Sequence, residues 1–406
     1  MRCPKCTALD VSGEVCPVRG AALPKSRQRR RWVTFLLGAI FALMTLCVAF
    51  LVVASIRDPI ALILSVIAAV IPAALYSYLV VRLDHYEQEP RRVLLATFAW
   101  GAVGAVLFSI IAELITGTII IATIGEEAGT LFNIGIGAPI IEETFKGLAL
   151  LALLHFFRQE FDNVLDGIVY GALVGLGFAM TENMLYFGAA YLEDGPYGLG
   201  ELFIARAVIN GFGHALYTGT IGAAVGWSRS RYRQGAGRVV VPMLGWFLAV
   251  FQHFLWNTGV VVIAGLQGED ATIWSVVLVE APLFVLPALI ILGTIAVFAR
   301  RHELEIIRWA LGPEVARGVL TPEEFHTLSD SQLRRHALHA AFQRAGEGGR
   351  KRQQRFFQVA AELAFRKYHL SRGERPKPGQ RAPEDVYREE LATLRAELVG
   401  TPSINL

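Results

Sequence analysis

Glu142, Glu143 and Lys146 stand close together in the segment GAPIIEETFKGLALLALLHFF, which begins at Gly137. On a helix, Lys146 lies three and four residues beyond the two carboxylates and is a neighbour of both. One ammonium cannot neutralise two carboxylates, so the second needs a proton, a metal ion or another partner. The residues around them are apolar, and a charge in hydrocarbon costs at least about 2.5 kcal/mol on the insertion scale. A compensated ion pair accounts for one glutamate and the lysine; it leaves the other glutamate to be explained.

Three later apolar stretches carry further polar groups. GLGFAMTENMLYF holds Glu182 and Asn183. In ARAVINGFGHALYTGT, the residues Arg206, Asn210, His214 and Thr218 recur every four positions and form a stripe. FQHFLWNTG places His253 and Asn257 one turn apart on one face. A lone histidine in such a stretch is ordinarily a hydrogen-bonding residue of the core; two histidines and three glutamates in four consecutive stretches are not. No serine–histidine or cysteine arrangement accompanies them, and no aspartate dyad stands in two spans. Two routes fit this set. Histidines and carboxylates hold a divalent metal with an open position for water. Alternatively, a glutamate activates water directly, while histidine and asparagine stabilise the developing oxyanion. Both end in hydrolysis. Buried His/Glu sets also serve proton-coupled transporters, which is the rival reading from another class.

The elements that must position these residues are membrane helices. The 406-residue chain is 54% hydrophobic, and it contains eight apolar runs near 33–56, 59–81, 93–124, 131–156, 165–191, 202–227, 240–264 and 273–299. About 20 residues suffice to cross a bilayer, so the expected fold class is all-α, a polytopic membrane protein with about eight transmembrane helices. Depth then tests whether the polar groups meet. Glu142 lies 11 residues from 131, Glu182 9 from 191, His214 12 from 202 and His253 11 from 264. At about 1.5 Å per residue these are depths of roughly 14–18 Å, one layer near the middle of the bilayer. Glu113, 11 residues from 124, shares that depth. Small residues in GIGAP, GALVGLG and GFGH allow close helix approach. No repeat relates 33–156 to 165–299, which the transporter reading would favour.

Basic residues mark alternate loops. Lys25, Arg27 and Arg29–Arg31 precede the first run; Arg82, Arg91 and Arg92 follow the second; Arg158 follows the fourth; Arg229, Arg231, Arg233 and Arg238 follow the sixth; Arg300 and Arg301 follow the eighth. The other loops are acidic except for Arg57. The positive-inside rule therefore expects a multi-pass cell-membrane protein with both termini cytoplasmic. The first run reads as an anchor, since it is long and lacks a small-residue cleavage site.

The expected division is 1–20, a ribbon-like segment; 21–32, a basic linker; 33–299, the membrane part; and 300–406, a helical tail. The ribbon offers Cys3, Cys6 and Cys16, but Arg19 stands where a fourth thiolate belongs, and a structural zinc takes four ligands. Zinc here would have to be completed from elsewhere. Cys47 reads as a core residue. In the tail, Thr321 and Glu324 form a capping-box pattern, and GRKRQQRFFQVAAELAFRKYHL is a basic amphipathic helix; the tail is read as solvated in preference to touching anionic lipid or a partner. RGERPKPGQRAPED reads as a linker. No nucleic-acid partner is expected.

In EETFK, FAMTEN, RAVINGFGH and HFLWN, in that order on consecutive spans, the sequence resembles the PrsW family of intramembrane proteases, related to the CAAX prenyl endopeptidases and bacteriocin-processing enzymes. The acidic DHYEQEP after the second run matches a feature common in that family. The resemblance covers about residues 80–260 and neither soluble end. It implies an endopeptidase in which Glu142 and Glu143 supply the general base, with Glu142 the preferred one, and Lys146 holds their charge state. Glu182, His214 and His253 would be metal ligands, with zinc the expected metal, or their functional equivalents. Asn257 would bind the oxyanion, Arg206 would contact substrate or pair with an acid, and Asn183 and Asn210 would support the site. The implied substrate is a single-pass membrane protein, of the anti-sigma-factor kind in PrsW itself.

Overall fold

The computed structural model describes residues 27–84, 89–157, 161–232, 234–268, 272–373 and 383–399, and all its regular elements among them are helical. The expected ribbon, with Cys3, Cys6 and Cys16, and most of the linker at 374–382 lie outside the described residues.

Helices α1 (Arg27–Ser55) and α2 (Pro59–Val81) begin the bundle; Asp58 caps α2 by accepting from the Ala61 amide at 2.7 Å. α3 (Arg91–Ala99) runs through a π-helical turn at Trp100–Ala105 into α4 (Val106–Ile124). α5 (Glu126–Phe132) passes through a second π turn, Asn133–Gly137, into α6 (Ala138–Phe156), which carries the paired glutamates. α7 (Val164–Phe203) opens on a capping box between Asn163 and Asp166 and breaks at Asp194 and Gly195. Gly195 sits at φ +64°, a conformation few other residues adopt, and Pro196 follows it. A π turn at Ile204–Ile209 leads to α8 (Gly213–Arg231), then α9 (Gly237–Gln267). α10 (Ile273–Glu280) continues through Ala281–Val285 into α11 (Leu286–Ala316); α12 (Pro322–Leu328), α13 (Ser331–Ser371) and α14 (Pro383–Val399) complete the chain.

Six stretches of the described residues are long and apolar enough to cross a membrane. The difference from the eight expected has two sources. Val164–Arg231 counts as one stretch although α7 and α8 pack against each other as separate helices, and α6 is not among the six. Glu142, Glu143 and Lys146 are what lower the apolarity of α6.

α7 is the central element. Every residue from Leu165 to Phe178 is buried, whereas Phe35, Leu46, Leu114, Ile119, Phe247 and Ile291 on the outer helices are exposed, as lipid-facing residues are. Cys47 is exposed on α1 and not in the core, because α1 packs through Phe41, Met44 and Val48. α7 and α8 touch backbone to backbone. A Cβ on Gly171 would stand 2.3 Å from the Thr218 carbonyl, and one on Gly175 2.2 Å from that of His214. Glycine at these positions sets how deeply the α8 polar stripe enters the bundle.

The tail is a folded helical unit with its own core. Ile307, Leu311, Leu320, Leu328, Phe356, Phe357, Val359, Leu363 and Leu391 pack together. The basic amphipathic segment lays its apolar face into this core. Thr321 and Glu324 form the expected capping box, with donor–acceptor distances of 3.1 and 2.8 Å. α11 runs unbroken from the membrane bundle into the tail, and residue 300 lies inside it. Burying Glu314 there is compensated by Lys367 at 2.7 Å and Arg388 at 2.9 Å. Hydrogen bonding to Glu314 also raises the Arg388 guanidinium above its ordinary range.

Candidate active site

Lys146 is fully buried and its Nζ uses all three donors. It reaches Glu142 Oε2 at 2.9 Å, Glu143 Oε1 at 2.8 Å and His214 Nδ1 at 2.9 Å. The first two contacts follow from helical spacing within α6; the third crosses to α8. The ammonium also lies 3.7 Å from the centroid of the Phe178 ring, a cation–π contact. An ammonium donates, so His214 Nδ1 is the acceptor. His214 is therefore assigned as the neutral tautomer with its hydrogen on Nε2, and that hydrogen goes to Glu182 Oε2 at 2.8 Å.

Glu142 and Glu143 have different surroundings. Glu143 is wholly buried: Oε2 accepts from the Thr218 hydroxyl at 3.0 Å, and Oε1 faces both Lys146 and His253 Nδ1, the latter at 3.2 Å. Its acceptor capacity is taken. Glu142 gives only Oε2 to Lys146 and lines a cavity of about 790 Å³. No described residue hydrogen-bonds its Oε1. Chain direction explains the contrast, since adjacent residues on a helix point about 100° apart: one glutamate faces α8 and α9 while the other faces the cavity.

The cavity collects the remaining residues singled out in the sequence: Glu182, Asn183, Arg206, Asn210, His214, His253 and Asn257. Arg206 rides on the π turn Ile204–Ile209, donating from Nη2 to Glu182 at 2.8 Å and from Nε to Asn183 Oδ1 at 2.8 Å. It pairs with an acid, one of the two roles expected of it. Asn257 Nδ2 donates to the Ile134 carbonyl at 3.0 Å. That carbonyl belongs to the π turn Asn133–Gly137, where the widened helix frees backbone groups from the regular ladder.

Glu142, Glu143, His214 and His253 each offer a ligand atom within 4.8 Å of the others. Two carboxylates and two imidazoles suit a zinc-type ion by donor chemistry. Glu182 is outside this group; it is occupied by Arg206 and holds the far nitrogen of His214. Lys146 contacts three of the four groups, so an ion bound at His214 Nδ1 competes with the lysine for that nitrogen.

Three further residues belong to the site, and the first of them, Tyr217, carried no distinguishing signal in the sequence. Tyr217 is buried, stacks on His253 at 4.9 Å between centroids and stands edge-on to His214 at 5.8 Å. It follows His214 by three residues, a spacing equally typical of packing. Phe178, the first residue of FAMTEN, covers the Lys146 ammonium. Glu113, matched only in depth, lines the same cavity.

Comparison with known proteins decides what this arrangement belongs to. The family described as PrsW family intramembrane metalloprotease matches residues 89–287, the stretch that holds every cavity residue. Protease PrsW of Bacillus subtilis (strain 168) is 32% identical over 177 residues, 44% of this chain and 72% of that protein. The chain belongs to the PrsW family. Protease PrsW of Shouchella clausii is 30% identical over 189 residues, 46% of this chain and 79% of the relative. That of Geobacillus kaustophilus is 34% identical over 152 residues, 37% of this chain, and the alignment spans 59% of its length. No solved structure matches the chain. Family membership accounts for the multi-pass helical bundle.

Proposed function

We propose that this chain is an intramembrane endopeptidase that hydrolyses a peptide bond of a membrane-anchored protein by glutamate-activated water. The observation that carries the reading is the division of labour in the EETFK motif: Glu143 is saturated by Lys146, His253 and Thr218, while Glu142 presents a free oxygen to the cavity.

In this reading a substrate segment occupies the cavity against Trp256, Val260 and Val277. Glu142 takes the proton of a water positioned in the cavity as the hydroxide attacks the scissile carbonyl, and returns that proton to the amide nitrogen as the C–N bond breaks and the amine leaves. Asn257 keeps one amide hydrogen free after bonding Ile134, and it donates that hydrogen to the oxyanion. Glu143 acts through others. It anchors Lys146 and the Nδ1 side of His253, leaving Nε2 toward the cavity. Lys146 holds the two carboxylates together and fixes the tautomer of His214.

A divalent metal, zinc by donor chemistry, would be held by Glu142, Glu143, His214 and His253 and would supply Lewis-acid polarisation of the carbonyl and acidification of water. The Lys146 contacts favour the metal-free version of the reaction. The substrate is a single-pass membrane protein, of the anti-sigma-factor kind, cut near its extracytoplasmic end. Both termini lie in the cytoplasm, as the arginines at 82, 91, 229, 238, 300 and 301 direct.

The test is cleavage of single-span substrates by the purified protein in liposomes, before and after exhaustive chelation. Cleavage that survives chelation selects the metal-free route; cleavage lost and restored by zinc selects the metal. Absence of cleavage across substrates of varied span sequence, with ion or proton flux in its place, would overturn the reading.

A further inference from the structure

The cavity has a second polar feature, on a helix that supplies none of the residues assigned to hydrolysis. Ser109 and Glu113 stand on α4, and both line the same space of about 790 Å³ as Glu142 and His253. Spaced one turn apart, they share a face of that helix. The motifs EETFK, FAMTEN, RAVINGFGH and HFLWN contain neither. Much of the remaining lining is apolar, including Val106, Ile110, Ile141 and Val260.

Both side chains keep a polar atom that no described residue serves. Ser109 is 1% exposed, and its Oγ has no hydrogen-bond partner. Glu113 Oε1 is buried and accepts nothing. Thr116, on the next turn of α4 and also in the cavity wall, differs: its hydroxyl donates to the Ala112 carbonyl at 2.8 Å. The other carboxylates lining the cavity have cations, Glu142 with Lys146 at 2.9 Å and Glu182 with Arg206 at 2.8 Å. Glu113 makes no ion pair with any described residue. Lys146 is in electrostatic reach of it, but the three donors of that lysine go to Glu142, Glu143 and His214. A carboxyl oxygen left unserved among apolar walls costs free energy, and a ligand that donates to it removes the cost.

We propose that Ser109 and Glu113 form a substrate subsite on α4 that selects a side chain donating hydrogen bonds, as glutamine and lysine do, beside the scissile bond. Glu113 Oε1 accepts from that side chain, and the Ser109 hydroxyl, able both to donate and to accept, binds it from the preceding turn. An apolar side chain of the same size fills the space but leaves the acceptor unserved. Sites built around hydrogen bonds reject such analogues far more strongly than apolar pockets reject a missing methylene. Neither residue takes part in the bond-breaking step; they act on which substrate is cut. This role rests on the hydrolytic reading of the cavity and adds the kind of side chain that the substrate carries there.

The experiment uses the full-length protein in liposomes and single-span substrates that differ by one residue, with glutamine, lysine, methionine and glutamate placed in turn at each position flanking the cut. At one such position, wild-type protein is expected to favour glutamine and lysine over methionine, which lacks a donor, by roughly 5–150-fold in kcat/KM. Glutamate, acidic and without a donor, should be the poorest of the four. Glu113→Met removes the acceptor and brings the glutamine-to-methionine ratio there close to one, and Ser109→Ala lowers it in the same direction. Measured with the two substrates in competition, the ratio does not depend on how much of a variant folds. Wild-type cleavage that is indifferent to these exchanges at every position overturns the subsite and leaves the hydrolytic reading standing, as does a preference that Glu113→Met retains. Cleavage of none of the substrates overturns both.

Discussion

Lys146 Nζ lies 2.9 Å from His214 Nδ1, two basic groups in direct contact inside a membrane bundle. The contact stands because the histidine is neutral and accepts, and because Glu142 and Glu143 hold the ammonium from α6 while Glu182 holds the other face of the ring. The lysine thus connects the paired glutamates to the α8 stripe.

Replacing that lysine leaves two buried carboxylates without their cation. Lys146→Met is expected to destabilise the protein by about 3–5 kcal/mol, the cost typical of orphaning a buried charge. Combining it with Glu143→Gln removes one stranded charge and recovers part of the loss. Thermal unfolding of the single and double variants in one detergent checks this; equal stability of Lys146→Met and wild type would contradict it.

Glu182 acts on His214 from behind. Glu182→Gln is expected to lower cleavage by roughly 10–100-fold, the range seen when a group that orients a histidine is lost. Arg206, its other partner, is coupled to it through a 2.8 Å ion pair, so a double-mutant cycle between Glu182→Gln and Arg206→Ala should show a coupling energy of about 0.5–3 kcal/mol. Additive effects would mean that the pair does not act as one unit.

Close approach of α7 and α8 places the stripe. Gly175→Val puts a β-branched side chain against the His214 carbonyl, which a Cβ alone would approach to 2.2 Å. An overpacking cost of about 1–3 kcal/mol is expected, together with reduced cleavage, since the clash bears on the backbone of His214 itself. Gly293→Ala, in open space on α11, serves as the neutral control.

Much of this site was legible in the sequence because helical spacing and depth are one-dimensional quantities. The contact of Lys146 with both glutamates follows from spacing alone, and equal depth anticipated that Glu142, Glu182, His214 and His253 share a cavity. Azimuth is not one-dimensional. Nothing in the residue order showed that Glu143 turns toward Thr218 and His253 while Glu142 turns toward the cavity, or that Glu182 faces Arg206 and the far nitrogen of His214. Tyr217 was hidden for a different reason: an aromatic at i+3 reads the same whether it packs on lipid, on a neighbouring helix or on a functional histidine. In the tail, the amphipathic face of α13 was visible, but what covers it was not. A stripe containing Phe356, Phe357, Val359 and Leu363 suits a lipid surface and a helical core equally well, and only the tertiary arrangement shows that Leu391 and Ile307 complete it.

The central claim is that Glu142 activates the attacking water, and single-turnover cleavage of a single-span substrate in liposomes by Glu142→Gln tests it most directly. The variant is isosteric, and its melting temperature should match wild type within a few degrees. Loss of general-base catalysis should slow cleavage by roughly 10²–10⁴-fold. Cleavage at the wild-type rate by folded Glu142→Gln would contradict the account.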